Sequence, residues 1–203
     1  MLAAMAAPPV HAAMLEIEIT SSSGQPAQNA VIALAPAGGP LLASRLPAEA
    51  VIDQRKETFL PLVTIIRKGG RVVFTNNDRT MHHVYSFSPI KQFEFEMDEG
   101  HRSDPVVFDN PGVASIGCNI HDHMIAYVYV TDAPWATLTD AKGHAEITDL
   151  AAGNYRVQVW HPQLLSGRAP AATSLAVSGT TKFALALPLQ GVLPSRHMHM
   201  GSY

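Results

Sequence analysis

Between residues 113 and 130 the chain reads VASIGCNIHDHMIAYVYV. Its only cysteine, Cys118, is followed by His121 and Met124 at the spacing C-x-x-H-x-x-M, with His123 just before the methionine. A thiolate, an imidazole and a thioether form a soft to intermediate donor set, which favours copper, Cu(I) included, over magnesium or calcium. A trigonal set of two histidines and one cysteine, with a weak axial methionine, is the copper arrangement suited to electron transfer. The second histidine must then come from another part of the chain. The candidates are the adjacent His82 and His83 in NNDRTMHHVYSFS. On a strand, neighbouring side chains point to opposite faces, so only one of the pair can readily turn into the site.

Other readings of these residues are weaker. A lone cysteine is most often a small buried hydrophobe, but that leaves the clustered histidines and Met124 without a reason. Structural zinc sites usually carry more cysteines or a second close ligand pair. A nucleophilic cysteine usually sits at a helix start or in an electropositive pocket, whereas Cys118 ends a strand-like run, so no enzyme is expected. His161 in VWHP reads as a structural residue at a strand end, Trp160 as core, and His101 and His144 as surface. The terminal HMHM (His197, Met198, His199, Met200) mixes imidazole and thioether and is either a further copper-binding segment or a plain tail. The acidic EFEMDEG reads as a solvated strand edge, able to meet a basic partner.

The elements that must position these residues are strands. LEIEIT alternates, AVIALA is a continuous apolar run, and HHVYSFS and FEFEMDEG alternate again. FLPLVTIIRKGG reads as one strand ending in a Gly-Gly turn, DPVVFDNPG as a strand stopped by Pro-Gly, and VASIGC and MIAYVYV as the strands flanking the Cys-His-Met loop. Beyond residue 134, ATLTDAKGHAEITDL and AAGNYRVQVWHP continue the series, and TSLAVSGTTKFALALPL reads as a hairpin about SGT. No segment holds a helical period, so the fold class is all-β, a sandwich or barrel.

The 203 residues are 47% hydrophobic and 15% charged, with a formal net charge of −3. This is a globular composition, and with no basic run it argues against nucleic-acid binding. No apolar stretch reaches the length of a membrane span. The N-terminal MLAAMAAPPVHAAM is uncharged and alanine-rich, and its VHA fits a signal-peptidase site after Ala12. Residues 1–12 are therefore expected to be the remainder of a secretory signal, and the location periplasmic. One cysteine cannot form an intramolecular disulfide, and in an oxidising compartment a lone thiol is buried or held by a metal.

FTNND…MHHVYS, FDNPGVASIGC and CNIHDHM occur in the order that marks the cupredoxins, the plastocyanin-like blue copper proteins, and the chain resembles that family. The short Cys-to-Met loop is similar to that of amicyanin. The wording HHVYSFSP, PGV…GCNIHD and VWHP is similar to a bacterial plastocyanin-domain group labelled methylamine utilization proteins. The likeness covers residues 50–132 most strongly and 133–162 less so. It implies a Greek-key sandwich over 50–132 holding one copper ion. By position, His82 takes the place of the first histidine of H-N-V, with His83 in place of the asparagine, and Cys118, His121 and Met124 take the other ligand places. His83 and His123 are the alternates. The resemblance further implies that the backbone N–H of residue 83 bonds the sulfur and that the His121 edge is the electron port.

A second resemblance lies outside this region. LTDAKGHAEITDLAAGNYRVQVWHP is similar to the carboxypeptidase-regulatory-like, transthyretin-type sandwich, and the expected beginning of such a domain stands at LEIEITSSSGQPAQNAVIALAP. Residues 14–40 with 133–190 would then form one discontinuous sandwich interrupted by 50–132, with 191–203 as a flexible tail. The expected function is an exported carrier of single electrons between redox partners such as a cytochrome and a dehydrogenase. The alternative is a copper-handling chaperone or resistance protein, suggested by the additional His83, His123 and His/Met tail.

Overall fold

A computed structural model describes residues 12–38, 42–164 and 170–190. The leader expected over 1–12 (Ala12 apart) and the 191–203 tail with its HMHM lie outside the described residues. The described chain is all-β, as expected. Its strands are β1 (Ala13–Ser21), β2 (Val31–Pro36), β3 (Glu49–Gln54), β4 (Phe59–Leu60), β5 (Val63–Arg67), β6 (Gly70–Asn76), β7 (His82–Ser88) and β8 (Lys91–Met97), then β9 (Val106–Phe108), β10 (Gly112–Cys118), β11 (Ile125–Thr131), β12 (Trp135–Leu138), β13 (His144–Leu150), β14 (Gly153–Trp160), β15 (Ala171–Val177) and β16 (Thr180–Leu187).

These strands make four sheets. The central part of the chain forms a five-stranded sheet, β5-β11-β10-β7-β8, and a four-stranded sheet, β4-β3-β6-β9. The two ends of the chain share the others, β13-β1-β16 and β12-β2-β14-β15. Each pair of sheets closes over its own apolar cluster. Ile52, Phe74, Val84, Phe108, Ile116 and Val128 lie in one. Leu15, Ile17, Ile32, Leu34, Val157 and Leu187 lie in the other. Period-two alternation decides which side chains enter. In β10 it turns Ala114, Ile116 and Cys118 inward, and in β7 it turns His82, Val84 and Ser86 inward.

The continuous apolar run of β2 has a direct structural cause. Val31, Ile32, Ala33 and Leu34 are all buried, because both faces of the strand are covered. Ile32 and Leu34 face the end-segment core. Val31 and Ala33 join Val63, Tyr129, Ala133 and Trp160 in a third cluster that seals the two halves together. There the Trp160 ring packs against Tyr127 at 5.4 Å and Tyr129 at 5.9 Å between centroids. Burial, with the nearby Asp132 charge, pushes the Tyr129 hydroxyl up to about 12.

Two strand expectations need correction. FLPLVTIIR is two strands, not one: β4 pairs with β3, while β5 runs parallel to β11 in the opposite sheet. Pro61 lies at the break, where a residue without an N–H cannot continue a ladder. The expected hairpin about SGT is a crossing between sheets. β15 pairs with β14, whereas β16 runs parallel to β1 over its whole length. Parallel addition of β16 covers the second edge of β1, which an SGT hairpin would have left unpaired.

Two outcomes follow from this packing. Trp160→Ala, which empties the seam between the halves, is expected to lower stability by about 3 kcal/mol or more, read as a lower denaturant midpoint. The second concerns His161, buried at the end of β14, with Nε2 2.9 Å from the Gln28 carbonyl oxygen and Nδ1 accepting from Gln163 N–H at 3.0 Å. Burial holds its pKa below the ordinary 6.5, against the opposing pull of the Gln28 carbonyl. The unfolded chain therefore binds the proton better than the folded one. The stability contribution is complete above about pH 6.5 and is lost as pH falls through the lowered folded value. His161→Gln is expected to remove that part of the acid sensitivity when urea midpoints are compared across this window.

Candidate metal centre

The centre is assembled where β7 meets the end of β10. The two strands pair antiparallel, with Gly117 opposite Tyr85 and Cys118 opposite Val84. This register brings the inward side chain of His82 beside that of Cys118. His82 is 0% exposed, and its Nδ1 lies 3.8 Å from Cys118 Sγ. The chain then turns, with Met124 N–H donating to the His121 carbonyl at 2.9 Å. The turn places the His121 ring edge-on to His82, 5.1 Å between centroids. One ligand atom from each of His82, Cys118 and His121 lies within 4.8 Å of the others. Met124 is buried in the same apolar cluster as Cys118.

The His82 ring is fixed from behind. Its Nε2 is 2.9 Å from Asp78 Oδ2. A carboxylate there calls for the tautomer with the proton on Nε2, which leaves the Nδ1 lone pair facing the sulfur. Asp78 also accepts backbone N–H bonds from Glu57, at 2.8 Å, and from Lys56. Burial pushes the Asp78 carboxyl up, but the Glu57 N–H, the His82 ring and the Lys56 N–H outweigh it and hold the group below its ordinary 3.8.

The donors fit a bound first-row metal ion. With zinc-like bonds of about 2.0 Å to nitrogen and about 2.3 Å to sulfur, two trigonal donors stand about 3.7 Å apart. The observed His82–Cys118 separation is close to that. His121 Nδ1 is buried without a hydrogen-bond partner among the described residues. A buried polar atom left unpaired is costly, and a metal ion among these three donors removes the deficit. Met97, also buried and opposite His82, has its sulfur engaged by Gln54 Nε2 at 3.1 Å.

The alternates face elsewhere. His83 turns to the outer face of the sheet, with Nε2 2.9 Å from Glu94 Oε1 and Nδ1 3.2 Å from Asn119 Nδ2. Its backbone carbonyl accepts from Asn119 N–H at 3.0 Å; among the described residues no hydrogen bond joins the N–H of residue 83 to the Cys118 sulfur, where one was expected. His123 is 65% exposed and stands 3.9 Å from Glu57 Oε2. His121 Nε2 is 3.6 Å from the other oxygen of Glu57. Asp78 and Glu57 were not singled out in the sequence.

Close approach on the outer face fixes the register. A Cβ at Gly117 would lie 2.6 Å from the Tyr85 ring, so the ring sits on the bare backbone next to Cys118.

No protein-family model matches the sequence, and no curated protein matches it. Solved structures match parts of it. They include a purple cupredoxin from Nitrosopumilus maritimus, 26% identical over 40% of this chain and 98% of that one, with a TM-score of 0.37. Amicyanin from Paracoccus versutus is 22% identical over 48% of this chain and 96% of that one, TM-score 0.37. A copper-containing nitrite reductase from Thermus scotoductus is 22% identical over 47% of this chain and 25% of that one, TM-score 0.38. These structural neighbours are cupredoxins, similar to this chain at low identity and over part of its length.

Gly117→Ala is expected to destabilise the fold by about 1–3 kcal/mol through overpacking. Tyr85→Ala in the same chain should recover part of that loss in a double-mutant cycle of denaturant midpoints.

Proposed function

We propose that this chain is a copper-binding protein of cupredoxin type that carries single electrons between two redox partners. The observation that carries this reading is the convergence of one ligand atom from each of His82, Cys118 and His121 within 4.8 Å, with His82 Nδ1 3.8 Å from Cys118 Sγ and His121 Nδ1 buried without a partner among the described residues. His82, Cys118 and His121 would hold the ion, with Met124 as a fourth, weaker donor and His83 and His123 outside the set. A copper ion held there would supply one-electron Cu(II)/Cu(I) chemistry between a donor and an acceptor. The chain's own part is to keep the donors nearly fixed in both states. His82 is locked by Asp78, and Cys118 is held by a paired strand. Exposed Met81, Ile120 and Ile125 stand beside the ligand residues in sequence and offer an apolar surface to a partner such as a cytochrome or dehydrogenase.

In the same reading, residues 50–132 are a copper domain inserted into a sandwich built from 14–40 and 133–190, similar to the carboxypeptidase-regulatory-like type. Support comes from strand sharing between the two chain ends. The insertion points are also close together. Arg67 N–H donates to Pro47 O and Lys68 N–H to Thr131 O, and insertions are tolerated where the ends meet in this way. The protein would be exported to the periplasm and belong with the methylamine-utilization-like group.

The test is copper loading. One equivalent of Cu(II) is expected to produce an intense thiolate-to-copper band in the visible and a reversible one-electron wave. Cys118→Ala should abolish the band, and His83→Ala and His123→Ala should keep it. A colourless protein, or a band indifferent to Cys118, would overturn the reading. Copper bound without a reversible wave and passed readily to a second protein would favour copper handling instead.

A further inference from the structure

The turn joining β3 to β4 has an unusual backbone for its sequence. Arg55 N–H donates to Thr58 O at 3.0 Å, and the two central residues, Lys56 and Glu57, have φ of 53° and 52°. Two successive left-handed residues define a type I′ turn, which ordinarily takes Asn or Gly. Lys and Glu are strained there. Strain of this kind persists only when its surroundings over-determine it, and it collects at functional sites.

Here the surroundings belong to the candidate centre. The Asp78 carboxylate accepts both central N–H groups of the turn and also meets His82 Nε2. The turn in this conformation aims the Glu57 carboxylate at the solvent side of the centre. One oxygen stands 3.6 Å from His121 Nε2, the other 3.9 Å from His123 Nε2. Both distances are ion-pairing rather than hydrogen-bonding separations. Glycine at position 57 would take the same backbone without strain. What glycine lacks is the carboxylate.

We propose that the 55–58 turn is an outer clamp on the centre and that Glu57 is its positioning residue. Glu57 biases the His121 proton to Nε2, leaves the lone pair of the buried Nδ1 free for the ion, and lowers the reduction potential of the bound ion. This rests on the copper reading above. The sign follows from charge. An anion beside the centre stabilises the more positive oxidised state, and the partial exposure of Glu57 makes the effect salt-sensitive. Through Asp78, the same turn serves the second imidazole, so one short hairpin holds ligand residues from two distant segments.

Three variants separate charge from strain. Glu57→Gln removes the charge and keeps the strain. Glu57→Gly removes both, and Lys56→Gly relieves strain while keeping the Glu57 carboxylate, with loss of the Lys56 ammonium. In the copper-loaded protein, Glu57→Gln and Glu57→Gly are expected to shift the potential positive, by less in high salt, with the visible band retained. Lys56→Gly should raise the denaturant midpoint and give no positive shift in potential, because loss of a cation acts in the opposite direction. In the metal-free protein with neutral imidazoles, nitrogen NMR should show His121 mainly as the Nε2–H tautomer, and Glu57→Gln should reduce that bias. A potential and a tautomer both unmoved in Glu57→Gln would overturn the clamp. If the wild-type protein takes up no copper, the copper reading falls, and the metal-free tautomer decides for or against the clamp.

Discussion

The candidate centre depends on one strand pairing, that of β7 with the last residues of β10. Cys118 lies opposite Val84 and Gly117 opposite Tyr85. In a pleated pair a one-residue slip turns every side chain to the other face. A slipped β7 would aim His83 at the core and expose His82. Val84 and Ile116, fully buried, oppose such a slip from the inner face. Tyr85 opposes it from the outer face, because only a residue without Cβ can lie under its ring. The geometry of the candidate centre is therefore decided largely by apolar packing and one glycine.

Asp78 is the second constraint. Its carboxylate is mostly buried, a situation that ordinarily favours protonation. Three donors reverse that preference, two from the backbone of the 55–58 turn and one from the His82 ring. A charged group held in this way ties three separate segments to one point: the β3–β4 turn, the loop after β6 and the start of β7. Removing any one donor would leave the others facing a less fully paired anion. The imidazole and the strained turn thus support each other. The outer side of the centre is organised by charge, and its inner side by apolar packing.

Much of this was legible in the chain. Alternation in HHVYSFS and VASIGC was enough to show that one of two adjacent histidines and Cys118 could share a face. The unbroken run in AVIALA followed from burial on both sides of β2. Which histidine turns inward could not be read from alternation alone, because alternation has no origin until a register supplies one. Asp78 and Glu57 were invisible for a related reason. Their partners are remote in sequence, and their placement depends on left-handed backbone at Lys56 and Glu57, which neither residue type advertises. The SGT segment misled because its turn chemistry suits a hairpin, whereas the open edge of β1 drew β16 into a different sheet.

The two ends of β11 link the centre to the rest of the molecule. The strand begins immediately after Met124, and farther along it Tyr127 and Tyr129 pack on Trp160 of β14. The sheet that carries the centre is therefore covered on its outer face at one end by the strands from the chain termini. At the other end the outer face remains open, and Ile125 is exposed there. Phe87, on the same face of the sheet, is 65% exposed and packs at a tilt against Tyr85, whose ring lies against Gly117 next to Cys118. A seam of large aromatic rings at one end holds the covering sheet in a fixed position. Cys118, at the end of β10, and His121, in the loop that follows, therefore lie at the end of this sheet away from the aromatic seam.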